Sequence, residues 1–235
     1  WQQKLQIPDF GIIGGEPLIN PQVIDWLVGV RNLLPETQIR ITTNGLLLHK
    51  HPDLVNLLHE LGNVVFKITV HVNSIALEDS ITKIMQSKSW EPVYEFGINR
   101  WKTTNNLRLQ INRPTQFVKT YINDYRNMLP HMSDPTQAFS NCVQKTCPLL
   151  HKGKIFKCST AGLLKQTLDY CNPVDKQSWE PYIDKGIGLD SSESEVADFL
   201  DNFGKPSHLC GQCPTSSFSK IDHIKFVKFN KKDLD

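Results

Sequence analysis

The sequence predicts an α/β fold built on a parallel sheet, followed by a small cysteine-rich α+β domain with a β-hairpin. Three observations carry this. Short apolar runs alternate with amphipathic helical stretches over the first half, residue polarity alternates within those runs, and all six cysteines lie between 142 and 213. The expected division is residues 1–130 and 131–235. A chain of 235 residues can bury one sizeable core and a smaller one.

The elements follow in order. "DFGIIGG" reads as a buried strand running into glycines, and "PQVIDWLVGVRNLLPE" then places Val23, Leu27, Val30 and Leu34 at helical spacing. "TQIRITTNG" is a second strand ending in Asn44-Gly45. In the following "HPDLVNLLHELGN", Leu54, Leu57, Leu58 and Leu61 form one apolar face and Gly62 suits the helix end. "NVVFKITVHVNS" is a third strand and "ALEDSITKIMQSKSW" its helix. "VYEFGINRW" and "NLRLQINRP" are further strands, with too short a segment between them for a normal helix.

Within these strands Phe66, Ile68, Val70 and Val72 oppose Lys67, Thr69 and His71. Leu107, Leu109 and Ile111 oppose Arg108, Gln110 and Asn112, while Ile39 and Ile41 oppose Arg40 and Thr42. With helices covering the apolar face, the polar face is expected to curve around a polar cavity filled by water or ligand. The alternative is a sheet with one solvated face.

Composition narrows the function classes. A formal net charge of +2, with basic and acidic residues interspersed, lacks the basic stripe of a nucleic-acid binder. No apolar run approaches a membrane span, and "WQQKLQIPDF" lacks a signal-peptide core. The expectation is a cytoplasmic protein with no membrane or nucleic-acid partner, in which cysteines favour metal binding or reactive thiols over disulfides.

The cysteine spacing is C-x4-C-x10-C-x12-C-x38-C-x2-C. "CPLLHKGKIFKC" reads as a hairpin turning at Lys152-Gly153, which would set Cys147 across from Cys158 with Cα atoms about 4.5–5.5 Å apart. Such a pair suits one metal centre or a disulfide. "CGQCP" is a C-x2-C knuckle, and "SSESEVADFLDNFG" before it a short helix. Four thiolates serve zinc or an iron-sulfur cluster equally. Cys171, in "LDYCNP", reads as a buried or free thiol.

Strand-GGEP-helix followed by strand-TTNG-helix resembles the radical S-adenosylmethionine (radical SAM) enzymes, whose fold is a partial (βα)6 TIM-like barrel. The resemblance implies that Gly14, Gly15, Glu16 and Pro17 bind the methionine amino group of S-adenosylmethionine through backbone groups and the carboxylate. It implies further that Thr43 and Asn44 lie near the cofactor, that Thr69 and His71 contact its ribose or carboxylate, and that Asn99 and Asn112 contribute from later strands. For each, the alternative is a solvated or structurally hydrogen-bonded side chain. The family's C-x3-C-x2-C, which holds the radical [4Fe-4S] cluster, does not occur in this sequence. The expectation is that the first strand and cluster loop precede Trp1 and that "WQQKL" ends the first helix; natural loss of the motif is the alternative.

The cysteine-rich end is similar to the SPASM and twitch extensions of that family, whose signature is C-x9-15-G-x4-C and a later C-x2-C. Cys142, Gly153 and Cys158 fit the first spacing, and Cys210 and Cys213 the second. The resemblance implies one auxiliary [4Fe-4S] cluster on Cys158, Cys210 and Cys213, the fourth place contested between Cys147 and Cys142. It also implies reductive cleavage of S-adenosylmethionine to a 5′-deoxyadenosyl radical that abstracts hydrogen from a peptide or small-molecule substrate, with an electron-donor protein as partner. A non-catalytic metal- or cluster-containing binding module on the same barrel is the second hypothesis, and a zinc-ribbon protein on an ordinary α/β barrel the third. The tail "KIDHIKFVKFNKKDLD" reads as a final strand, a partner contact or surface.

Overall fold

Three strand-helix repeats open the chain. They are β1 (Asp9–Ile12), α1 (Val23–Leu33), β2 (Gln38–Thr43), α2 (Leu54–Leu61), β3 (Val64–Thr69) and α3 (Ile75–Ser87). Then come β4 (Glu91–Pro92), β5 (Arg100–Lys102) and β6 (Leu107–Asn112). The computed structural model describes residues 1–72, 74–93, 100–215 and 220–222. Its chain divides into two units, one holding Trp1–Thr115 and the other Gln116–Asp222.

The sheet of the first unit runs β1-β2-β3-β6-β5-β4. β1, β2, β3 and β6 are mutually parallel, whereas β5 and β4 are antiparallel to their neighbours. The fold is thus α/β with a mostly parallel sheet. The antiparallel edge follows from chain length: four residues join β5 to β6, and a parallel crossover needs about a dozen. Asn106, at φ 55°, closes this connection as a hairpin turn. Trp1–Leu5, expected as the end of a helix, makes a single turn in which the Trp1 carbonyl accepts from both Lys4 and Leu5.

The predicted two-faced strands are present. Ile39, Ile41, Val64, Phe66, Ile68, Leu107 and Leu109 are fully buried and share one core with Leu27, Leu54, Leu58 and Leu77 from the helices. Burying each such side chain contributes about 1.5–3 kcal/mol. The opposite face carries Arg40, Thr42, Lys67, Thr69, Arg108, Gln110 and Asn112, all half-buried. Gly62 closes α2 at φ 63°, and Ser74 caps α3 by accepting from the Leu77 amide. Arg31, in the last turn of α1, donates to the carbonyls of Pro35, Thr37 and Gly62, fixing the lower ends of β2 and β3.

The second unit is made of short elements. β7 (Gln116–Val118) pairs antiparallel with β10 (Lys220–Asp222), so the tail does open as a strand; residues 223–235 lie outside the described residues. Between them come α4 (Pro135–Ser140), the hairpin β8 (Leu149–His151) and β9 (Lys154–Phe156), α5 (Ser159–Gly162), α6 (Leu164–Cys171) and α7 (Glu193–Asn202). The hairpin turns on Lys152 and Gly153, both at positive φ, in the predicted register Leu149 to Phe156. A small core of Met128, Leu164, Leu168 and Trp179 forms under α6, with Cys171 packed against it.

Candidate functional site

The chain leaves β1 through two glycines at positive φ, Gly14 at 115° and Gly15 at 51°. Both are exposed, and nothing lies within 4 Å of where a side chain would project. These residues therefore present bare backbone at the end of a strand. Glu16 follows at the N-cap of a 3₁₀ turn, Pro17–Ile19.

The Glu16 carboxylate joins the two motifs. Its Oε1 accepts from the Leu18 amide at 3.0 Å and from the Thr43 hydroxyl at 2.6 Å, and its Oε2 accepts from the Asn44 amide at 2.7 Å. Thr43 Oγ1 accepts in turn from the Gly45 amide at 2.9 Å, and Asn44 Oδ1 accepts from Leu46 at 2.9 Å. Gly45, at φ 80°, sits so close to Leu77 and Ile68 that a Cβ would lie 2.7 Å from Leu77 Cδ1. GGEP and TTNG thus form one hydrogen-bonded corner, with His51 Nε2 adding a contact to the Leu18 carbonyl at 3.0 Å. A carboxylate has about four acceptor sites. Three are occupied here, which leaves one on Oε2 for an incoming donor.

Other predicted site residues lie along the same edge. Thr69 ends β3 and pairs in register with Asn112, which ends β6; the Asn112 carbonyl accepts from Val70 at 2.8 Å, and His71 follows, half-buried. Gly14, Gly15, Glu16, Pro17, Thr43, Asn44, Thr69, His71 and Asn112 therefore occupy the carboxyl ends of four parallel strands. In open α/β sheets this is where ligands bind. Asn99 lies outside the described residues. A separate concavity of about 430 Å³, lined by His59, Ser87, Lys88 and Thr103, opens at the other end of the strands.

With this geometry in view, comparison with known proteins adds one relation. Over 95 residues the chain is 30% identical to GTP 3′,8-cyclase of Microcystis aeruginosa (strain NIES-843 / IAM M-2473), a stretch that is 40% of this chain and 25% of that protein. The match supports the radical SAM superfamily, and enzyme status, at that coarse level. The chain spans about a quarter of the relative's length. No family model matches. No helix among the described residues is long and apolar enough to cross a membrane.

In the second unit the hairpin ladder stops at Leu149 and Phe156, before Cys147 and Cys158. Pro148 has no amide to extend it, and Cys158 turns away to cap α5, accepting from the Ala161 amide. Cys147 is exposed. Cys142 instead lies within electrostatic reach of Cys158 and Cys213, as does Cys210. Burial first, then the neighbouring thiols, pushes Cys213 up to about 12, and Cys158 is raised for the same reasons. Without a cation beside it, the Cys213 thiol keeps its proton at neutral pH. Among the described residues no three His, Cys, Asp or Glu side chains are arranged to hold a metal ion. The donor chemistry suits a thiolate-bound centre, whereas the side-chain arrangement does not form one.

Sequence reasoning missed two features. It did not find the cage around Gly45, which exists only because α3 packs on β3. It read the polar sheet face but not its charge, although Arg40, Lys67, Arg100 and Arg108 stood at strand period in the sequence.

Proposed function

We propose that this chain is the S-adenosylmethionine-binding part of a radical SAM enzyme acting on a peptide or small-molecule substrate, with an electron-donor protein as partner. The observation that carries it is the corner in which Glu16 accepts from Thr43 and Asn44 beside the exposed, positive-φ glycines. In this reading Gly14 and Gly15 offer backbone carbonyls to the cofactor's ammonium, and the remaining acceptor site of Glu16 completes the contact. Thr69, His71 and Asn112 hold its hydroxyl and carboxylate groups. The four parallel strands are the corresponding part of a partial (βα)6 barrel. When bound and reduced, that cofactor supplies hydrogen-atom abstraction chemistry; this chain's residues bind it, orient it and exclude water.

The residues present do not include a C-x3-C-x2-C, so no step is assigned to a radical cluster here. For the auxiliary centre the reading is a SPASM- or twitch-like [4Fe-4S] cluster on Cys158, Cys210 and Cys213, with half-buried Cys142 favoured over exposed Cys147 as the fourth ligand; binding would draw together thiols that, among the described residues, are not arranged around one metal ion.

Calorimetric titration of the full chain with S-adenosylmethionine tests the first part. Binding weakened tenfold or more in both Gly14→Val and Asn112→Ala is expected, and binding unchanged in both, or absent from the parent chain, overturns it. Anaerobic iron and sulfide analysis tests the second part. About four of each per chain are expected, retained in Cys147→Ser and lost in Cys142→Ser; zinc without sulfide overturns the cluster.

A further inference from the structure

The polar face of the first unit's sheet is cationic, and its charge is not balanced where it is most buried. Lateral register sets Arg40, Val65, Arg108 and Lys102 in one row across β2, β3, β6 and β5. Thr42, Lys67, Gln110 and Arg100 form the next row, toward the carboxyl ends of the parallel strands. Strands about 4.8 Å apart and rows about 6.7 Å apart place five cations within a patch the size of a small molecule.

Among the described residues, the acids paired with this face lie at its margins. Asp9, on edge strand β1, pairs with Arg40 at 2.6 Å, and Glu91, on edge strand β4, stands 4.0 Å from Lys102. On the central strands, neither Lys67 nor Arg108 makes an ion pair among the described residues, and Arg108 Nε is buried with no hydrogen-bond partner. Burial, then Arg40 and Arg100, lowers the Lys67 ammonium below the usual lysine range. A half-buried cation without a counter-ion is unfavourable, and a guanidinium with a free donor is shaped to take an oxyanion.

We infer that this face, centred on Lys67, Arg108 and Gln110, binds a small molecule carrying at least two negative charges, as phosphoryl or carboxylate groups. The half-buried cations, Arg40 and Arg108 in one row and Lys67 and Arg100 in the next, cover an area too compact for an extended polyanion. The assignment of this ligand as the enzyme's substrate rests on the reading above. S-adenosylmethionine, with a sulfonium, an ammonium and one carboxylate, carries a net positive charge that this face repels, so the face belongs to a second ligand. The glycine corner and the cationic face then divide one sheet between a cationic cofactor and an anionic substrate.

Isothermal titration of the full chain with inorganic pyrophosphate and, separately, malonate is the test. Binding of at least one is expected, weakened tenfold or more in Lys67→Met and in Arg108→Met but unchanged in Lys83→Met, whose lysine is exposed on α3. Preference for pyrophosphate identifies a phosphoryl ligand, and preference for malonate a carboxylate; either supports the site. Thermal unfolding of Lys67→Met, which removes an unbalanced charge, checks that lost binding is not lost folding. No binding of either anion, or equal weakening in Lys83→Met, overturns the inference. Anion binding without S-adenosylmethionine binding keeps the site and removes the cofactor reading, while the reverse result keeps the cofactor reading and removes the site.

Discussion

Replacing Thr43 by valine should separate the hydrogen bonding of the GGEP–TTNG corner from its packing. Thr43 is 2% exposed, and its hydroxyl both donates to Glu16 at 2.6 Å and accepts from the Gly45 amide at 2.9 Å. Valine preserves the volume and removes both contacts. Loss of a hydrogen bond to a charged partner costs about 1.5–3 kcal/mol, and the orphaned Gly45 amide about 1–3 more. With partial relaxation the expected total is about 3–5 kcal/mol. Thr43→Ser keeps both contacts and loses one buried methyl, about 0.8 kcal/mol. Urea unfolding of the three proteins, followed by circular dichroism, gives the comparison. A serine variant as destabilised as the valine variant would refute the argument, because packing rather than the hydroxyl would then hold the corner.

Four further outcomes follow from the same structure. Gly45→Ala places a Cβ 2.7 Å from Leu77 Cδ1 at a positive φ, and overpacking with left-handed strain should cost about 2–4 kcal/mol in thermal unfolding. Gly14→Ala meets no neighbour within 4 Å, so its conformational strain alone should cost about 1 kcal/mol. Lys67, lowered on folding by burial, binds fewer protons in the folded than in the unfolded chain below the usual lysine range; stability should therefore rise with pH through that window, and Lys67→Met should flatten the rise in urea midpoints. Glu78 is held below its usual value by the two-pronged Arg113 contact at 2.6 and 2.8 Å. That pair is partly exposed, so a double-mutant cycle should give about 0.2–1 kcal/mol at neutral pH, lost as pH falls through the lowered value and reduced by salt.

Local patterns were legible because they depend on neighbours in the chain. Period-two polarity placed Ile39, Phe66, Ile68, Leu107 and Leu109 on the core face, and glycines marked the ends of α2 and the turn at Lys152-Gly153. The antiparallel placement of β5 was half-visible in its four-residue link to β6, whereas the insertion of β6 beside β3 was not, since pairing partners are chosen by burial across the whole sheet. The cysteines show the same limit. Ladder register extrapolated from the turn set Cys147 against Cys158, but proline and a helix cap ended the ladder before it reached either cysteine.

By itself, the sequence determined which residue types could bind: a carboxylate after two glycines, a TTNG turn, alternating cations on strands, and clustered thiols. Tertiary structure alone decided which of them meet. Glu16 reaches Thr43 and Asn44, far along the chain, only because β1 and β2 lie parallel in register, and Lys67 and Arg108 face one ligand space only because β6 pairs with β3. Side-chain direction is set by the local backbone, while proximity is set by which apolar faces the whole chain can bury together.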